Sequence, residues 1–262
     1  MYGKLMITTL KNATVYKFNV LTKVIATIIA VFAVRQVWTV LYENPPANGV
    51  NVSLSNMLTY MTIAIILQSL YTPTIVWEVS EKIQNGQIAH EFQRPWSFEF
   101  AMLFRSLGMI LANILTVVLP IAVITLFIFP IQVSGSWLMW LFFIISITFG
   151  IIINFCIQLF IALLSFIFVE VWGFEIVVSL ATSFLSGQLI PLWFFPEFLQ
   201  KIAEILPFRG MYDIPLSIIT DRINIQNTLE LLAFQGVWVA VLVLMIRVVV
   251  KYFQKLLVVA GG

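Results

Sequence analysis

LSGQLIPLWFFPEFLQKIAEILPFRGMYDIPLSIITDR, residues 185–222, is too apolar for a solvated loop and too interrupted to cross a membrane. Pro191, Pro196, Pro207 and Pro215 break it, and charges recur from Glu197 onward. Each proline removes a backbone donor and ends or kinks a helix. Such a segment enters a bilayer partway and turns back only where surrounding protein satisfies the freed backbone groups.

The rest of the chain sets that segment in a membrane. It has 262 residues, 61% hydrophobic and 10% charged, with mean hydropathy +1.03. A soluble domain carries about 25% charge. Several apolar runs exceed the ~20 residues that cross a ~30 Å hydrocarbon core, so an all-α polytopic membrane protein is expected. The stretches between runs leave no room for a soluble catalytic or nucleotide-binding domain, and a net charge of +2 gives no reason to expect nucleic acid. Cys156 is the only cysteine, which rules out an intrachain disulfide. The N-terminal stretch is basic, and the apolar run after it is long enough to be retained as a span rather than cleaved as a signal.

Six spans are expected, at about Leu21–Leu41, Met57–Trp77, Ala101–Phe129, Trp137–Phe168, Phe174–Phe194 and Leu229–Val250. They belong to one transmembrane domain over residues 1–262. Lys4, Lys11, Lys17, Lys23, Lys82, Arg94, Arg105, Arg247, Lys251 and Lys255 all fall on one side of this scheme. The breaks on the other side between spans one and two, and three and four, hold no basic residue. By the positive-inside rule both termini are cytoplasmic and the 185–222 segment faces outside. Residues 1–19 place Tyr2, Leu5, Met6 and Leu10 on one helical stripe, with Lys4 and Lys11 off it. An amphipathic interface helix on the inner membrane surface is expected there, rather than a frayed polar tail. No internal repeat is evident, which weighs against inverted-repeat folds.

The one substantial inner loop, residues 78–97, holds the first candidate site. Glu78, Glu81 and Lys82 open a short helix, Gly86 permits a turn, and Ile88, Phe92 and Trp96 offer apolar anchors. Arg94-Pro95 closes it. Charge mixed with aromatics suits docking into a soluble partner's groove better than a solvated loop.

Within the spans, Gln68, Asn113, Asn154 and Gln158 are the notable polar residues, the last two sharing a helix face. They either bond between helices, at ~0.6–2 kcal/mol each, or line a path. Arg35 would cost ~2.5–3.5 kcal/mol at the bilayer centre, and a snorkelling anchor near the outer end is expected instead. No buried acid–base relay of a proton-coupled pump is legible. His90 lacks a second His or Cys nearby, so no metal site is expected. Ser186-Gly187 lacks the pattern of a serine nucleophile. No phosphate-binding loop occurs, so the chain is not expected to be an enzyme that hydrolyses nucleotide. Pro120 and Gly150 are either kinks or local packing features.

Taken together, these residues resemble the permease subunits of type II ABC exporters, and more specifically a branch of small six-span bacterial permeases. Ile83-Gln84-Asn85-Gly86-Gln87-Ile88 with Gln93-Arg94-Pro95 is similar to that branch's inner loop. Ser186 through Pro196, then Leu206-Pro207-Phe208, is similar to its outer signature. Trp96 and Phe98 depart from the smaller residues expected after Arg-Pro. The resemblance implies a second permease copy or paralogue and two cytoplasmic ATPase subunits, which hold the ATP and Mg2+. It makes residues 78–97 a coupling loop on the ATPase, with Glu78, Glu81, Lys82, Ile83, Gly86, Ile88, Glu91, Phe92, Arg94 and Pro95 as its site residues. It makes residues 195–228 re-entrant outer helices before the last span. Pro191, Trp193, Phe194, Phe195, Pro196, Leu206, Pro207 and Phe208 become an outer gate. The implied cargo is hydrophobic or amphipathic (drug, antibiotic, lipid or glycan precursor), exported across a bacterial cytoplasmic membrane. An ion-gradient transporter or channel would need titratable groups within the spans. A non-transporting scaffold is the remaining alternative.

Overall fold

The computed structural model describes residues 2–14, 17–43, 52–71 and 74–260, and helices dominate throughout, with no strand among them. The break between the first two spans, residues 44–51, lies outside the described residues.

Among the described residues, four helical stretches are long and apolar enough to cross a membrane: Phe18–Glu43, Phe98–Ile128, Trp137–Phe166 and Ile225–Lys255. The first belongs to α2 (Lys17–Glu43), the third to α8 (Trp137–Leu163) and the fourth to α12 (Ile225–Ala260). The second is compound. It joins α6 (Phe98–Asn113) to α7 (Leu119–Ile128) through a π-helical turn over Ile114–Val118. Pro120 explains the turn: with no N–H at 120, the ladder widens one step earlier, and the Leu119 N–H donates to the Ile114 carbonyl.

The other two expected spans are shorter than the sequence suggests. α3 (Leu54–Gln68) ends where the reading ran on to Trp77. A turn over Ser69–Tyr71 follows, and α4 (Thr74–Gln84) carries the remainder. α9 (Trp172–Leu185) ends nine residues before Phe194, because Ser186 closes it and Gly187 turns at φ +82°. At 1.5 Å per residue each covers only about 21–22 Å. The apolar residues past both ends belong to neighbouring elements, and hydropathy cannot mark that boundary.

α8 is the central post, with α4, α12 and α11 (Asp213–Ile219) packed around it. Helices in lipid gain little from burial as such, so close packing and interhelical hydrogen bonds hold them. Gly150 shows this. The helix is continuous through it, and a Cβ there would lie 2.8 Å from the Tyr71 hydroxyl and 3.1 Å from the Gly210 carbonyl. Gly150 is therefore a packing residue and not a kink.

α1 (Tyr2–Thr14) is amphipathic as read, with Lys4 and Lys11 exposed, but its apolar stripe meets α6. Tyr2 stacks on Phe104 at 5.3 Å, and a Cβ added at Gly108 would clash with the Met6 carbonyl. The two helices run in the same sense, and Gly108 is what lets their backbones meet.

Arg35 corrects a second expectation. It is 7% exposed and turned into the bundle. Its Nη1 donates to Thr62 Oγ1 at 3.1 Å, and its guanidinium carbon sits 4.3 Å from the centre of the Phe129 ring. A hydroxyl and an aromatic face, not the membrane surface, receive this charge.

Candidate functional site

The connector between α4 and α6 has a buried stem and a polar tip. On α4, Ile75, Val76, Val79 and Ser80 are buried, while Glu81 and Gln84 are exposed. The chain turns at Gly86, φ +70°, with open space where a Cβ would be. α5 (Ile88–Phe92) follows, with Ile88 and Glu91 buried and His90 exposed. Asn85, Gly86, Gln87, Arg94 and Pro95 are all exposed. Ile83 is half-buried against the same apolar cluster that takes Ile88. Phe92 lies between Phe98, edge-on at 5.0 Å, and Phe166, stacked at 6.4 Å. Trp96 also packs on that cluster, with Arg94 5.1 Å from its ring centre. The expected apolar anchors thus fasten the loop to its own bundle, and the surface left for a partner is polar.

Five charges brace this stem. Lys82 Nζ lies 2.7 Å from Glu78 Oε1 and 3.4 Å from Glu91 Oε1. Arg94 is 3.3 Å from Glu91 Oε2, and Arg105 of α6 pairs with Glu78 and, at 3.5 Å, with Glu91. Burial alone would raise the Glu78 pKa, but the Lys82 and Arg105 contacts outweigh it and hold the carboxyl below its ordinary value. Arg105 was legible only as a basic residue near a span end; its role needed the fold.

At the other end, residues 185–222 form short pieces. A single 3-10 turn spans Leu192–Phe194, α10 covers Glu197–Ile205, and another 3-10 turn covers Pro207–Gly210 before α11. Every residue of α11 is buried. Trp193 meets Tyr60 edge-on at 5.0 Å, with the Arg222 guanidinium carbon 3.5 Å from its ring centre. Phe194 meets Trp38 at 5.2 Å. Pro191 and Pro207 are buried; Phe195, Leu206 and Phe208 are half-buried; Pro196 is exposed. Backbone groups freed by the breaks find partners. Tyr60 Oη donates to the Gly187 carbonyl at 3.0 Å, and Tyr71 Oη to the Met211 carbonyl at 2.8 Å. Gln235 Nε2 donates to both Gly210 and Ser146 carbonyls, at 2.7 and 3.1 Å. Gln235 escaped the sequence reading, although a glutamine inside the last span was a signal.

Of the four polar span residues, two come to one face. Gln68 lines a 700 Å³ cavity between α2, α3 and residues 188–194, which Phe194 also borders. Asn113 lines a smaller hollow and donates to the Ser69 carbonyl at 3.1 Å, so it repairs the α3 break as well. Asn154 and Gln158 lie on α8 and border neither.

The family model for "ABC-2 family transporter protein" matches residues 29–256, nearly the whole chain. The chain belongs to the ABC-2 transporter family. No curated protein and no solved structure matches it. As an ABC-2 member it is a membrane-embedded permease component and not itself the ATPase. The family implies association with an ABC ATPase.

Proposed function

We propose that this ABC-2 permease works in an ATP-driven exporter, moving hydrophobic or amphipathic cargo outward across a bacterial cytoplasmic membrane. Both termini and the connector face the cytoplasm in this reading, as the lysine and arginine distribution favours. Two ATPase subunits hold ATP and Mg2+, and a second permease copy or paralogue completes the path. α1 lies at the inner interface, and α10 and α11 are re-entrant. The two short apolar helices α3 and α9 complete six spans with their neighbours.

The observation that carries this reading is the connector: a polar, exposed tip on a stem locked to α6 and α8. A partner that changes shape can push on the membrane domain only through an element too stiff to fold away. Glu81, Gly86, Arg94 and Pro95 would face the ATPase, while Glu78, Lys82, Ile83, Ile88, Glu91 and Phe92 hold the lever rigid. At the far end, Trp193, Phe194, Phe195 and Phe208 seal the exit, with Pro191, Pro196, Leu206 and Pro207 setting the turns that present them.

Copurification tests it. An ATPase should accompany the full chain from membranes and be lost from Gly86→Pro, whose fixed negative φ cannot make this turn. A chain that purifies alone and conducts ions would favour a gradient-driven transporter or channel.

A further inference from the structure

Three hollows lie in a row along one side of α2, and neighbours share residues. The 700 Å³ cavity shares Ala30 and Gln68 with a second of 230 Å³; that one shares Ala26 and Ser69 with a third of 210 Å³, which reaches Lys23 and Asn113. Together they make one groove from Lys23 to Leu41. At 1.5 Å per residue it is about 27 Å long, close to the ~30 Å depth of a hydrocarbon core.

The walls are mostly apolar, but polar groups gather at three levels. Lys23 and Asn113 stand at one end, Gln68 and Thr27 midway, Gln188 and Tyr42 at the other. Gln188 is 8% exposed and lines this end of the groove. The Tyr42 hydroxyl is buried and has no hydrogen-bond partner among the described residues. A buried polar group left unbonded is costly, so the Tyr42 hydroxyl calls for a ligand's polar atom, and the Gln188 side chain lines the same cavity. Among the described lining residues Lys23 is the only charge, and no carboxylate is present. An anion is therefore favoured at one end and repelled nowhere along the way.

We propose that this groove is the track along which the headgroup of an anionic lipid crosses the membrane. The headgroup binds first at Lys23, passes Gln68, and reaches Gln188 and Tyr42, while its acyl chains stay in the bilayer beside the exposed apolar face of α2. This rests on the exporter reading and names its cargo class.

Native mass spectrometry of the purified full chain, titrated with phosphatidylglycerol and with phosphatidylcholine of the same chains, reads the first step. Phosphatidylglycerol should bind about five-fold more tightly, the effect of one lysine near a membrane surface. Lys23→Gln should abolish that preference, and Lys4→Gln, on the exposed face of α1, should keep it. Equal binding of both lipids, or a preference that survives Lys23→Gln, overturns the proposal. So does an Ala30→Trp chain that still binds lipid but has lost a dimer seen by light scattering, because the groove would then be an interface between copies.

The crossing itself is read in vesicles holding the permease with its ATPase, using chain-labelled fluorescent phosphatidylglycerol. Gln188→Leu should slow ATP-dependent appearance of the lipid outside several-fold while binding at Lys23 persists. Unchanged movement contradicts the track. An ATPase that copurifies without any lipid preference would remove the track and leave the exporter reading standing.

Discussion

Arg105 of α6 is ion-paired with Glu78 of α4, so charge as well as chain ties the connector to the third span. Arg105 is also 3.5 Å from Glu91 of α5, and one guanidinium therefore touches both helices of the connector.

Replacing Arg105 with methionine should loosen that stem. Two carboxylates would keep only Lys82 and Arg94, and Glu91 is 6% exposed. The expected loss is about 1.5–3 kcal/mol, the range for hydrogen bonds to charged groups. Protease cleavage near Gln87 should quicken, and a cycle with Glu78→Gln should show coupling. The lowered Glu78 pKa adds a pH signature: its contribution is full above its ordinary value of 4.5 and falls away on acidification below that. The Arg105→Met chain should lose less stability than the unaltered chain on acidification below pH 4.5.

Gly86→Ala should strain the tip without a clash, since open space surrounds the position and only φ +70° is unfavourable. A cost of about 1–2 kcal/mol follows, with Gly86→Asn milder because asparagine tolerates that region. Hydrogen exchange over residues 84–92 reads the difference. Equal protection in all three chains would contradict the turn.

Gly108→Leu should force α1 away from α6, because any Cβ there meets the Met6 backbone. Trypsin cleavage at Lys11 should accelerate. Gly3→Ala, with nothing within 4 Å of the added Cβ, should leave it unchanged.

Phe194 and Phe195 to alanine should alter transport or cargo-stimulated ATP hydrolysis, since Phe194 closes the 700 Å³ cavity against Trp38. Unchanged transport with no leak would remove both from the gate.

The pattern of legible and hidden features has a physical basis. Prolines announced that residues 185–222 break into short pieces, because they act on the local backbone, whereas the turn at Gly187 went unread. The amphipathic stripe of α1 was visible for the same reason. What the stripe packs against was not, because α6 and a lipid surface look equally apolar to it. Arg35 misled similarly: its distance from a span end suggested snorkelling, and only the fold brought Thr62 and Phe129 beside it. Ile88 and Phe92 had apolar character that suits either a partner or the chain's own core. Gln235 and Arg105 take their meaning from carbonyls and carboxylates far away in sequence.

Site-directed cross-linking at the connector tip tests the central claim most directly. Cys156 is buried and is the only cysteine, so Cys156→Ser gives a background for single new thiols. Gln87→Cys at the exposed tip should cross-link to a copurifying ATPase in membranes, and more strongly when ATP is trapped. Leu126→Cys, an exposed apolar position on α7 near the opposite end, should not. Cross-linking at Leu126 and none at Gln87 would contradict a permease driven through this connector.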